Sequence, residues 1–232
     1  MRKQTAAARS SARSRPESGR ARPAMSLTER AYNEIKFRII TCSYRPGEVL
    51  SEAAISDELK IGRTPVHQAI HRLMIDGLIA IMPRKGVMVT PVGVEEVMEI
   101  IDVRLVNECY CARLAANRAS HSELQQLRAI LKSAESIMEL RDVQKMMLLD
   151  RKFHETLARA ANNTVLAEVL RNLHERSLRF WFISLRDSDY HRSVWEQHRL
   201  IVEALERHDP AGAEHAMREH ILSFQRNVTR KV

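Results

Sequence analysis

Glycine and proline are scarce in this chain, seven of each in 232 residues, and aromatic residues make up only 5%. Such a composition excludes collagen-like and loop-rich frameworks. With Leu, Ala, Ile, Glu and Arg plentiful, it favours helix over sheet. Long apolar runs are missing too. None approaches the roughly 18 residues that a membrane span requires, so we expect a soluble, cytoplasmic protein with no membrane partner. Three cysteines are too few for a disulfide framework. Cys42 stands alone, Cys109 and Cys111 leave a helix on nearly opposite sides, and all three read as reduced thiols. The length suits two domains, each with its own core.

What is plentiful is basic charge, and it is unevenly spread. The chain carries a formal net charge of +8. Residues 1–24 hold seven Lys/Arg against one acid, residues 25–90 nine against seven, and residues 91–232 twenty-one against twenty-one. The leader "MRKQTAAARSSARSRPESGRARPA" has no large apolar residues with which to offset its ordering entropy, and reads as a disordered basic tail. Its Arg/Ser/Ala bias also fits an organelle transit peptide, although it lacks an amphipathic face. Because Met25 opens "MSLTER", the tail also reads as an upstream extension that adds non-specific phosphate affinity if it is translated.

Residues 25–91 read as a small helical unit with a β-hairpin. Leu27, Ala31, Ile35 and Ile39 mark one face of a first helix that ends at the Pro-Gly of "YRPGEVL". Ser51 and Glu52 open a short second helix. Thr64 is placed to cap a third, with Pro65 at its first position, Val66, Ile70, Leu73 and Met74 as its buried stripe and Gly77 as its stop. "LIAIMP" and "GVMVT", joined by Arg84, Lys85 and Gly86, then form two strands. Two short helices and a tight turn followed by a basic hairpin make a winged helix-turn-helix. Its third helix offers Arg63, Thr64, His67 and Gln68 to a groove of double-stranded DNA, and Arg84 and Lys85 suit the adjacent backbone or minor groove. A helix-turn-helix used for protein contacts stays open as the other reading.

"RPGEVLSEAAISDELKIGRTPVHQAIHRLMIDGLI" resembles the winged helix-turn-helix of GntR-type transcription regulators, over about residues 27–91. The resemblance implies that Arg63 reads a base, Thr64 contacts phosphate and Gly86 lets the wing tip approach DNA. His67 stands where the family generally has a second DNA-contacting Arg, Ala53 replaces a basic residue found in many members, and Gly62 replaces Ser. Neutral imidazole lacks the bidentate fork of guanidinium, so the expected operator differs from the family's common one, with a weaker salt slope from this helix.

Residues 92–232 read as an all-α antiparallel bundle of six helices, with breaks at Ser120, near Arg141 and Asp142, at Asn162 and Asn163, near Asp187 to Asp189, and at Asp209-Pro210. Ser120 and Glu123 fit a capping box, and Asp209 with Pro210 fits an N-cap followed by Pro. Within "LLDRKFHETLARAA", Asp150 and His154 are four apart and leave one helix face together. His198 lies 11 residues before Asp209 and His220 lies 11 after it, which brings both imidazoles to one level in an antiparallel hairpin. Such a set suits a divalent metal, Zn2+ first, with Ni2+ or Mn2+ as alternatives, and leaves open positions for a ligand. Hydrogen-bonded core histidines explain the same spacing. His121, His174, His191, His208 and His215 show no comparable arrangement and read as surface or packing residues. Met138, Met146 and Met147 read as core filler.

This region resembles the effector-binding FCD bundle of the FadR subfamily, in which an Asp and a His four apart and two later His hold a cation that helps to bind a carboxylate metabolite. "DRKFH", "FWFISLRDSDYHRSVWEQH" and "MREH" carry the likeness at Asp150, His154, His198 and His220, and "DVRLVNECYCARLAA" places Arg104 as a carboxylate partner. An Arg104–Glu108 ion pair accounts for Arg104 equally well. By the same likeness Asn163 caps the following helix. The expectation is a homodimeric, metabolite-responsive transcription regulator, a repressor, that binds an operator, a metal and a small carboxylate. Its rivals are a metal-dependent hydrolase fused to a DNA-binding module, for which the sequence offers no general base at a defined offset, and a pure metal sensor.

Overall fold

The computed structural model describes residues 25–140, 142–184 and 190–230. The basic tail and the expected break near Asp187 to Asp189 lie outside the described residues. The chain forms α1 (Leu27–Ile40), β1 (Val49–Leu50), α2 (Glu52–Leu59), α3 (Arg63–Ile75), β2 (Ile79–Met82) and β3 (Gly86–Val89). Six longer helices follow: α4 (Val94–Arg118), α5 (His121–Leu140), α6 (Val143–Ala160), α7 (Thr164–Ser184), α8 (Tyr190–Glu206) and α9 (Pro210–Thr229).

Helix starts follow local side-chain chemistry. Ser26 accepts from the Glu29 N–H and Ser51 from the Ala54 N–H, at 3.1 and 3.0 Å. Ser120 and Glu123 exchange backbone bonds as a capping box. Asp142, Asn163 and Asp209 each accept an N–H three residues on, from Lys145, Leu166 and Gly212. The third helix departs from expectation. Its N-cap is Gly62, without a side-chain bond, so Thr64 sits inside the first turn instead of capping it. Met74, expected in the buried stripe, is 37% exposed, and Ala69 takes the buried position beside Val66, Ile70 and Leu73. The stop is as read: Gly77 at φ +75 lets the Leu78 and Gly77 N–H groups bond to the Leu73 and Met74 carbonyls.

The wing is an antiparallel pair in which Ile79 faces Val89 and Met82 faces Gly86. The two-residue β1 adds a third strand on the other side of β3, pairing Val49 with Met88, in the order β1-β3-β2. Gly86 has a packing reason to be glycine. Its φ is +113, and a Cβ there would collide with the Leu50 carbonyl oxygen.

Two hydrophobic cores result. One gathers Ile35, Ile39, Ile55, Val66, Ile70, Leu73, Val87 and Val89 beneath the winged unit, and the other runs through α4 to α9. α4 packs against α6, α7, α8 and α9. Neighbours on several sides explain why Cys109 and Cys111 are both buried although they point away from each other. Ile40, at the end of α1, belongs to the second core. Polar contacts also join the units: Lys36 of α1 pairs with Glu175 of α7, Asn172 donates to the Asp76 carbonyl at 3.3 Å, and fully buried Arg179 donates to the Thr90 carbonyl at 2.7 Å.

Gly86→Ala is expected to lower stability by about 1–3 kcal/mol, read by urea unfolding of the full chain. A Cβ at Gly93 meets nothing within 4 Å, so equal losses at Gly86→Ala and Gly93→Ala would contradict the packing explanation.

Candidate metal centre and nucleic-acid interface

Four helices of the bundle converge on one carboxylate. Asp150 and His154 come from α6, His198 from α8 and His220 from α9, at 6, 7, 0 and 4% exposure. Nitrogens of His154, His198 and His220 all lie within 4.8 Å of one another. Asp150 Oδ1 lies 3.6 Å from His198 Nε2 and 3.9 Å from His154 Nε2. All four expected ligands are thus brought together. His174 of α7, expected to be a surface or packing residue, joins them. It is buried, with Nε2 3.3 Å from Asp150 Oδ2. The missed signal was available: Asp150 lies 12 residues before Asn162 and His174 lies 12 after it, the same hairpin register that links His198 and His220.

The surroundings orient the rings. His220 Nδ1 lies 3.1 Å from Gln197 Oε1 and His154 Nδ1 lies 2.8 Å from Glu108 Oε2. Each oxygen accepts from an Nδ1–H, which leaves the Nε2 lone pair for the cluster. Phe153 stacks on His198 with ring centroids 3.9 Å apart, and Trp195 meets the same ring edge-on. His154 Nε2 and both nitrogens of His174 and of His198 are buried without hydrogen-bond partners among the described residues. Buried polar atoms ordinarily find partners, so inward-facing imidazole lone pairs beside a carboxylate fit the donor set of a divalent cation.

Electrostatics agree. Burial lowers the pKa of His198 far below its ordinary value, that of His174 to about 4 and that of His220 to about 3. Burial alone would raise Asp150, but the His174 contact and the neighbouring imidazoles hold its carboxyl below the usual range. At neutral pH burial thus keeps His174, His198 and His220 uncharged around one carboxylate.

Arg104 is 5% exposed and donates through Nε to Glu108 at 2.5 Å and through a terminal nitrogen to Ser177 at 3.1 Å. The ion pair of the first reading is therefore formed. Arg104 also borders a cavity of about 20 Å3 with Asp150, His154, His174 and His220. That volume holds an ion or a single water, not an organic acid. A larger cleft, about 440 Å3, opens between α6 and α7 on the other side of His154 and His174, with Arg151, Arg159 and Arg171 among its walls.

In the winged unit, Arg63, Thr64, His67 and Gln68 are exposed on α3, and Arg84 and Lys85 are exposed at the hairpin tip, Arg84 at φ +64. His67 Nδ1 lies 3.0 Å from a Glu52 oxygen and Gln68 Oε1 accepts from the Thr28 hydroxyl. Two of the four groups on the helix are thus engaged within the protein, whereas Arg63 and Thr64 at its amino end project to solvent.

A histidine kept neutral by the fold stabilises it fully above the unfolded value near 6.5 and loses that contribution as pH falls towards the folded value. The metal-free protein should therefore lose stability from about pH 6.5 down towards 4, where unfolded-state histidines take up protons that folded His174, His198 and His220 resist. Denaturation midpoints of chelator-treated protein check this. Midpoints that stay flat across the window would contradict it.

Comparison with known proteins agrees with both halves. Residues 27–89 match the model described as "Bacterial regulatory proteins, gntR family", and residues 99–223 match the FCD domain. The HTH-type transcriptional repressor RspR of Escherichia coli is 27% identical over 206 residues, which span 89% of this chain and 90% of the relative. The gluconate operon transcriptional repressor of Bacillus licheniformis is 28% identical over 183 residues, covering 76% of this chain and 74% of the relative. Among solved structures, E. coli McbR/YncC shares the fold with a TM-score of 0.81 at 22% identity, over 89% of this chain and 99% of that one. These relatives are regulators, not enzymes, and no helix among the described residues is long and apolar enough to cross a membrane. The chain belongs to the GntR family of bacterial transcription regulators, with a gntR-type winged helix ahead of an FCD domain.

Proposed function

We propose that this regulator is a homodimeric repressor whose helical domain binds one divalent cation, Zn2+ first, and a small organic acid, and that this binding changes its affinity for a palindromic operator. The observation that carries the reading is the convergence of Asp150, His154, His198 and His220 in a bundle attached to a winged helix. The gluconate operon relative supports an acid as effector class. With about 20 Å3 beside Arg104 and about 440 Å3 between α6 and α7, the acid would approach through the larger cleft, and Arg104 would act by holding Glu108. When bound, the cation would supply positive charge and open coordination for a carboxylate. The protein's own residues orient the donors and exclude water.

Two further observations support coupling and dimerisation. Glu175, next to His174 on α7, pairs with Lys36 of the winged unit and, at 2.8 Å, with Arg151, next to Asp150. One buried carboxylate thus ties the surroundings of the cluster to α1, where Lys36 also donates to the Tyr32 hydroxyl and Tyr32 to Asp76 at the end of α3. Exposed Val103, Val106 and Tyr110 on α4, and Val165 and Val169 on α7, form apolar stripes suited to a second copy. A palindromic operator rewards such a dimer.

The test uses a DNA site selected by the protein from a random pool. Arg63→Ala should weaken binding and relax base preference by about 1–3 kcal/mol, and Lys85→Ala should lower the salt slope by about one. Chelation, or addition of sugar acids and other small carboxylates, should shift DNA affinity by roughly 5- to 150-fold. Lys36→Met keeps the Arg151–Glu175 pair, so it should leave metal affinity alone while shrinking that shift. DNA affinity indifferent to metal and to every acid tried would overturn the proposal.

A further inference from the structure

Two buried residues at the cluster, Glu108 and His174, form with His154 a second triad of potential metal donors within 4.8 Å of one another. The distances point to a different role. Both Glu108 oxygens are already taken, Oε1 by Arg104 at 2.5 Å and Oε2 by His154 Nδ1 at 2.8 Å. A cation placed there would have to displace the Arg104 and His154 partners of Glu108. A neutral imidazole has a single lone pair, and one that gives its Nδ1 proton to Glu108 at the His154 position keeps that lone pair on Nε2, towards Asp150. The carboxylate of Asp150 is divided in the same way: Oδ1 faces His154 and His198, while Oδ2 faces His174.

We propose that Glu108 and His174 are the positioning residues of a single-ion centre, Glu108 fixing the tautomer of His154 and His174, whose Nε2 lies 3.3 Å from Asp150 Oδ2, limiting the rotation of the Asp150 carboxylate. This rests on the reading that the cluster binds a cation. It adds that the centre takes one ion per chain and that its outer partners span α4 and α7. His174 is also the part of the centre adjoining Glu175, so the residue that orients Asp150 lies beside the contact with the winged unit.

The test is a titration of full-length, chelator-stripped protein with Zn2+ against a chromophoric competitor, and with Co2+ followed by its visible absorption. Wild type should bind one ion per chain. His174→Asn and Glu108→Gln should weaken binding by about 10- to 100-fold with stoichiometry still one. His174→Gln should recover most of the affinity, because its amide nitrogen reaches where Nε2 stood, whereas the shorter Asn does not. The two His174 variants are alike in polarity, so their difference reports side-chain reach and not folding. Wild-type affinity in both, or equal losses in both, would overturn the role of His174, and unchanged affinity in Glu108→Gln would overturn that of Glu108. Two ions in wild type with one lost in His174→Asn would make the Glu108–His154–His174 triad a cation site and overturn the proposal. No ion in wild type at all would instead defeat the cation reading on which it rests.

Discussion

Asp150 carries its charge in the middle of a helical bundle, where desolvation costs an ion several kcal/mol unless opposite charge or hydrogen bonds offset it. Much of the domain's polar interior can be understood from that requirement. Three imidazoles around the carboxylate, those of His174, His198 and His220, are kept uncharged by burial, so they supply lone pairs and N–H dipoles but no full positive charge. Arg104, the buried guanidinium nearby, is engaged with Glu108. In the proposed reading a divalent cation supplies the missing charge, and the partnerless nitrogens of His154 and His198 become its ligands.

The same constraint gives α7 two functions. One side of the helix brings His174 and Ser177 to the cluster and Arg104, while Asn172, Glu175 and Arg179 contact the winged unit. Glu175 and Lys36 are nearly sealed from solvent, so their pairing is far less screened than a surface ion pair. A change in how His174 is held would thus be felt one residue away by the contact between the domains. That proximity gives the proposed coupling a short physical route, through side chains in contact, and does not require a change of fold.

Much of this was legible in the sequence because it is locally encoded. Ser51, Ser120 with Glu123, and Asp209 with Pro210 mark helix starts through bonds to backbone groups three residues away. Asp150 and His154 share a helix face by spacing alone, and His198 and His220 are matched by their distances from one turn. What escaped was set by tertiary contact. β1 is two residues long and exists through pairing with β3. Gly62 stands at the cap where Thr64 was expected, and Met74 faces solvent because the winged core closes over Ala69. His174 was missed for a different reason: the hairpin register of α8 and α9 was used, and the equivalent register of α6 and α7 about Asn162 was not. Glu108 had been noted as a partner of Arg104, but its second contact, with His154, depends on how α4 packs against α6.

The central claim is that the carboxylate–imidazole cluster holds a metal ion, and anomalous diffraction tests it most directly. Crystals grown with Zn2+ and measured on either side of the zinc absorption edge should show one strong peak in each bundle, about 2.0–2.2 Å from Asp150 and from the histidine nitrogens. A bundle without such a peak, its histidines instead hydrogen-bonded to one another or to water, would contradict the account.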